Sequence, residues 1–449
     1  MLNRTIKPKP IKSIKFESPT ILEKTFPNGM KLLFSHKDNL PIIYVGAVVN
    51  SGSKFDPEGK EGLAYLLGML IDEGAGDYSS LELDDRIEFL GSSLNINVDS
   101  DNITLSLISI TEKFYEAFDL LSLIIQKPRL EKQDFERQKK IVLTKILQVK
   151  DDPSLLCRTA FQNLIFEGTA YSHSSIGKLK SLSSIEPDEV IKFYNNKFQP
   201  DETTLVIVGD VTFEKAVDLC NEKFSEWTKS AGDDKNIFVS DVIKSKPGRY
   251  MIPKYDAPQS EILIGHTLSR RTPENFYSRT VLNTILGGQF TSRLNSNLRE
   301  NKGYTYGIYS SINYNKNHGI FSVSTSVQTE VTDDSIRQIM LELQKLKENI
   351  SDDELEFAKS YLIKRLPSFF ESGGQIMKSL FNIAVHNLPV DYYKYYETNI
   401  NNVSREQVIN SASANIKDDE MCTVIVGNPS SLEENFVRNY IRLDKDAIL

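Results

Sequence analysis

Gly62-Leu63-Ala64-Tyr65-Leu66-Leu67-Gly68-Met69-Leu70, with Ser51-Gly52-Ser53 before it and Asp72-Glu73-Gly74 after it, has the spacing of a helical zinc site and the wrong side chains to fill one. Positions 65, 68 and 69 stand at i, i+3 and i+4 and share one helix face. On such a face two histidines can grip a metal while a glutamate between them acts as general base. Here the three positions hold a phenol, no side chain and a thioether. No zinc is expected in this chain.

The frame resembles the pitrilysin/insulinase family of zinc peptidases, whose inverted motif is His-x-x-Glu-His within Gly-Leu-Ala-His-x-x-Glu-His. In that family a later helix supplies a third ligand, a glutamate, within Val-Val-Leu-x-Glu-Ile. The matching stretch is Ile141-Val142-Leu143-Thr144-Lys145-Ile146, so Lys145 takes the ligand's place. An ammonium repels a divalent cation. Gln138 stands where the family often has a supporting glutamate. The resemblance therefore implies a degenerate metal site at Tyr65, Gly68, Met69 and Lys145, and no cofactor in this chain.

The 449 residues are too many for one typical core and predict at least two domains. Composition is that of an ordinary globular protein, 40% apolar and 25% charged. A net charge of −8 and a pI near 5.4 argue against nucleic acid as a partner. Cys157, Cys220 and Cys422 are widely spaced among apolar neighbours and read as buried thiols. The five histidines never fall at helical metal spacing. Met1 to Thr20 is basic and proline-containing, without the apolar centre of a signal peptide. The expectation is a cytoplasmic chain by default, or a periplasmic one if an export segment has been removed. No apolar run suits a membrane span.

Two halves repeat. Leu205-Val206-Ile207-Val208-Gly209-Asp210 is echoed by Thr423-Val424-Ile425-Val426-Gly427-Asn428, an offset of 218 residues from Gly209 to Gly427. Glu189-Val190-Ile191 falls on Gln407-Val408-Ile409 at the same offset, and a helical stretch from Asp134 to Ile146 has a counterpart near Glu354 to Leu366. A period this long means two copies of a domain, not a solenoid. The predicted layout is 1–228, a Lys-, Asp-, Ser- and Gly-rich linker at 229–249, and 250–449. Within the first half, Pro27-Asn28-Gly29 is a hairpin signal, and Ser79-Ser80-Leu81-Glu82 is a capping box. Strands come early and amphipathic helices later, at about 112–126, 132–148 and 187–194. This predicts an α+β fold, each half a mostly antiparallel sheet with helices on one face. The resemblance implies the same, since two such domains form half of the family's four-domain clamshell. It extends over nearly the whole chain, through Tyr171-Ser172-His173 and Phe198-Gln199-Pro200-Asp201.

In that arrangement the half opposite the zinc supplies an arginine and, seven residues on, a tyrosine to hold substrate. Arg299 and Tyr306 match this pattern within Leu298-Arg299-Glu300-Asn301-Lys302-Gly303-Tyr304-Thr305-Tyr306-Gly307. Before them, Gly287-Gly288-Gln289-Phe290-Thr291-Ser292-Arg293-Leu294 matches the family's glycine-rich approach, either a substrate loop or simply a turn. Gly303 can take positive φ, end the helix and start a strand on which Tyr304 and Tyr306 share a face. Arginine offers five fixed donors and tyrosine one hydroxyl, enough to hold a peptide carbonyl. The alternative is that Tyr304, Tyr306 and Tyr309 are strand aromatics and Arg299 a surface ion pair. The resemblance implies a non-catalytic subunit that binds unfolded peptide and completes the site of a homologous, zinc-bearing partner chain, as in heterodimeric bacterial peptidases and, more distantly, mitochondrial processing peptidase. Competing readings are a structural core subunit and a peptide-binding homodimer without hydrolysis.

Overall fold

The computed structural model describes residues 16–229, 246–432 and 438–448; most of the predicted linker lies outside them. In the first half, β1 (Leu22–Thr25), β2 (Lys31–His36), β3 (Ile42–Val49), β6 (Ser93–Val98), β7 (Ile103–Ile110) and β8 (Thr203–Gly209) form one sheet in the order β1-β2-β8-β3-β7-β6. A two-residue ribbon, β4 (Gly74–Ala75) and β5 (Tyr78–Ser79), sits apart from it. In the second half, β9 (Gly248–Pro253), β10 (Gln259–Ser269), β11 (Ile308–Tyr314), β12 (His318–Gln328), β13 (Cys422–Gly427) and β14 (Ile441–Arg442) follow the order β14-β9-β13-β10-β12-β11. The five strands β2-β8-β3-β7-β6 and β9-β13-β10-β12-β11 follow the same order, while the outer strands differ, β1 running antiparallel to β2 and β14 parallel to β9. β8 and β13, the strands that revealed the repeat, occupy the same place. Each runs parallel to one neighbour and antiparallel to the other. The fold is α+β, with two mostly antiparallel sheets.

Both repeat strands are nearly continuous apolar runs with no alternating polar face, because both of their faces are covered. One face of each sheet meets its own half's helices. The other receives a helix from the opposite half. Helix Gly373–His386 lies across β3 and β8, and helix Pro153–Ile165 lies on β10 and β13. Leu380 and Ile383 thereby share a core with Leu33, Val206 and Val208, while Leu156, Cys157 and Ala160 share the other with Val424 and Val426. The contact is close enough to require glycine. A Cβ at Gly46 would come within 2.2 Å of the Phe381 ring, and one at Gly373 within 2.4 Å of Tyr44.

Local signals hold in detail. Gly29 turns the β1–β2 hairpin at φ +90°. Ser79 and Glu82 form a reciprocal capping box for helix Ser80–Phe89. Helices Phe114–Gln126, Lys132–Val149 and Pro187–Lys197 fall where expected, and Asp352–Arg365 matches the repeat of the second. Two differences stand out. The motif helix is only Leu63–Gly68, too short to include Met69 within it. Helix Pro153–Ile165 is missing from the sequence-based expectations, although Asp152 caps it and Pro153 occupies its first turn. All three cysteines are free and buried.

Candidate functional site

The helix Leu63–Gly68 and the helix Lys132–Val149 do bring the four metal-frame positions together. Lys145 Nζ lies 3.9 Å from Met69 Sδ and 5.8 Å from the centre of the Tyr65 ring. Tyr65 and Met69 are partly buried and pack against the first core, as their amphipathic spacing suggests. Beside them the missing Gly68 side chain is replaced by Val98, whose methyl would meet a Cβ there at 2.3 Å. A protonated amine, held by a polarizable sulfur and an aromatic face, thus occupies the centre of the frame. These residues do not fit zinc. They offer no imidazole or carboxylate, and among the described residues no group of three His, Cys, Asp or Glu side chains is placed to hold a metal.

The second set lies at the start of the edge strand β11. Asn295–Asn301 is a π-helical turn, with Lys302 N–H donating to Asn297 O at 3.0 Å. Gly303 then adopts φ +66° and reverses the chain. Two anchors fix this segment. Arg293 makes a two-pronged pair with Glu354 at 2.6 and 2.9 Å, and Asn295 Nδ2 donates to Ile308 O at 2.7 Å. Arg299 stacks on the Phe290 ring, its guanidinium carbon 3.8 Å from the ring centre. Among the described residues it has no carboxylate within 4.0 Å, and its Nη1 is buried without a hydrogen-bond partner. It is not the surface ion pair that was the alternative. Tyr306 is 96% exposed.

The expected strand geometry needs correction. β11 begins at Ile308, so Tyr304 and Tyr306 precede it and do not share a sheet face. The Thr305 hydroxyl accepts from Gly307 N–H and donates to Gly307 O, a local turn that competes with the ladder. Tyr304 instead donates to Asp334 Oδ2 at 2.9 Å. Lys302, Arg337 and Tyr304 together hold the Asp334 carboxyl well below the usual range, Lys302 first. Gly287 and Gly288 close helix Pro273–Leu286, both N–H groups donating to Asn283 O. A Cβ at Gly287 would lie 2.6 Å from Ser310 N. The pair is a tight turn clamped to β11.

Two models of one peptidase family match this chain in sequence. Residues 31–177 match "Insulinase (Peptidase family M16)", and residues 184–362 match "Peptidase M16 inactive domain". The chain belongs to the insulinase family, M16. Its second half carries most of the match to the model described as the family's inactive domain. A non-peptidase homolog, YmxG, of Helicobacter pylori is 20% identical over 408 residues, covering 89% of this chain and 93% of that protein. A probable mitochondrial-processing peptidase subunit beta of Arabidopsis thaliana is 19% identical over 353 residues, 77% of this chain and 66% of that one. The crystal structure of a peptidase M16 inactive domain from Pseudomonas fluorescens shares the fold, with a TM-score of 0.86 at 22% identity over 92% of this chain and 99% of its own.

Within the M16 frame, Gln138 has found a different task. Its amide donates to Glu73, which also accepts from Ser80 and, at 3.1 Å, from Arg137 Nη1. Burial pushes the Glu73 carboxyl up, but these bonds outweigh it and keep it low. Phe290 and Asp334 are the residues that sequence reasoning missed. Phe290 lies nine positions before Arg299, a separation with no helical or strand period to reveal the stack. No helix among the described residues is long and apolar enough to cross a membrane.

Proposed function

We propose that this chain is the substrate-holding subunit of a two-chain peptidase, binding unfolded peptide while a homologous partner carries the zinc. The observation that carries the reading is the state of Arg299 and Tyr306. Both lie just before the edge strand β11, with donors that the described residues leave unused. An exposed tyrosine on an otherwise satisfied turn contributes nothing to packing, so its hydroxyl is free to meet something outside the chain. Arg299 is held in place by the Phe290 face and the π-helical turn, which lowers the entropy lost when its donors engage a carbonyl. Among the described residues no strand pairs with the outer side of β11; Ile308 O there accepts from Asn295 Nδ2 and Ser310 N–H donates to Gly287 O, and the rest of that row is the arrangement for pairing an extended peptide. The degenerate metal frame accords with this division of labour, because the chain keeps holding groups and lacks the ligands for chemistry.

The test is reconstitution with a homologous chain bearing intact His-x-x-Glu-His, assayed on an unfolded peptide. Activity is expected only from the pair. Arg299→Ala or Tyr306→Phe in this chain should lower kcat/KM roughly a hundredfold, about 3 kcal/mol, if each donor meets developing charge. Unchanged turnover in both variants would remove the assigned roles, and an inactive pair would favour a structural core subunit.

A further inference from the structure

A cavity of about 670 Å³ opens between the two halves, just past the C-terminal end of β11. Tyr306 lies before the other end of that strand, roughly 20 Å away along seven residues. The cavity is therefore separate from the peptide-holding pair. Its wall is aromatic on one side, formed by Phe276, Tyr277, Tyr392 and Tyr395. Its other side is cationic. Arg271 lies against two rings, its guanidinium carbon 3.8 Å from the centre of Phe276 and 5.0 Å from that of Tyr392. One terminal nitrogen makes a long bond of 3.4 Å to Asn382, and the other, Nη2, is buried with no partner. Lys316 reaches across from the β11–β12 turn, with Nζ 2.7 Å from Asn50 Oδ1. Lys31 stands on the rim.

Among the described residues none of these three cations has a carboxylate within 4.0 Å. The acids that line the cavity are engaged or peripheral. Glu202 accepts from Asn50 at 2.7 Å, Asp201 pairs with Lys229 at 2.9 Å, and Asp391 is exposed at the rim. A buried guanidinium nitrogen without an acceptor carries a desolvation cost that an anion would offset. The planar fork suits a carboxylate, and the rings beside it suit an apolar body. The geometry points to a binding site for a monocarboxylate carried on an apolar or aromatic group, as at the C-terminus of a peptide ending in a bulky apolar residue. Arg271 grips the carboxylate, Lys316 adds charge, and the four rings enclose the apolar part. This site belongs to the chain by itself and does not depend on a partner subunit.

Calorimetric titration of the whole chain with N-acetylphenylalanine, N-acetylphenylalaninamide and inorganic phosphate tests it. Saturable binding of the acid is expected, with the amide and phosphate each at least tenfold weaker. Arg271→Gln should weaken the acid tenfold or more. Because Arg271 also packs against two rings, a second variant, Asn399→Trp, narrows the cavity from its helical wall and should weaken the acid while Arg271 stays in place. Equal affinity for acid and amide, phosphate binding as tightly as the acid, no binding of the acid, or undiminished binding in the folded variants would each overturn the proposal.

Discussion

Lys145 is the residue on which the chemical character of this chain turns. A carboxylate there would complete a ligand set, whereas an ammonium repels the ion and settles against Met69 and Tyr65. The backbone has kept the frame while the side chains have left it. The triple variant Tyr65→His, Met69→His, Lys145→Glu should therefore bind close to one zinc per chain in a metal-content assay after dialysis. Metal content no higher than that of the unsubstituted chain would show that the helices have drifted out of ligand register. Gly68→Glu is the substitution to leave out, since Val98 already fills its space. Loss of the ligands is legible from the sequence alone, because a ligand is a matter of functional groups. What Lys145 does instead required the contact between two helices that lie 76 residues apart.

Among the elements, the π-helical turn Asn295–Asn301 depends most on a distant partner. Arg293, at its approach, forks onto Glu354, which caps helix Asp352–Arg365 together with Ser351. Burial pushes the Glu354 carboxyl up, but Arg293 and Ser351 more than offset it and bring it down to about 2. A carboxylate depressed on folding contributes stability above its unfolded pKa, near 4.5, and that contribution is lost as pH falls towards 2. Arg293→Met is therefore expected to cost about 1–2 kcal/mol at pH 7, allowing for solvent screening of a partly exposed pair. The deficit should shrink between pH 4.5 and 2 in denaturant melts followed by circular dichroism. A deficit independent of pH would assign the loss to packing instead. The helix was visible in the sequence as the counterpart of the stretch from Asp134 to Ile146, but the π-turn was not. Its Asn295 is tied to Ile308 O of β11, a contact that leaves no periodic mark in the sequence.

At the scale of the whole molecule, the exchange of helices makes the two halves interdependent. Each sheet has an apolar face that only the other half covers. Leu380 shows the consequence, since it belongs to the second half yet is buried with the first half's sheet. Leu380→Ala should cost about 2–5 kcal/mol. Unfolding should remain a single transition in which both halves are lost together, followed by calorimetry and by tryptophan fluorescence from Trp227 in the first half. Two separated transitions, with only one shifted by the substitution, would mean that the halves fold independently.

The sequence by itself determined the α+β class, the two-fold repeat and the family. Each of these follows from local period, turn chemistry or the identity of a functional group. Only the tertiary structure decided that the halves trade helices, that Tyr304 is tied to Asp334 while Tyr306 stays free, and that Gly287 and Gly288 form a clamped turn. Those outcomes rest on contacts between residues far apart in the chain. Their energies depend on which faces meet, and no local pattern records that.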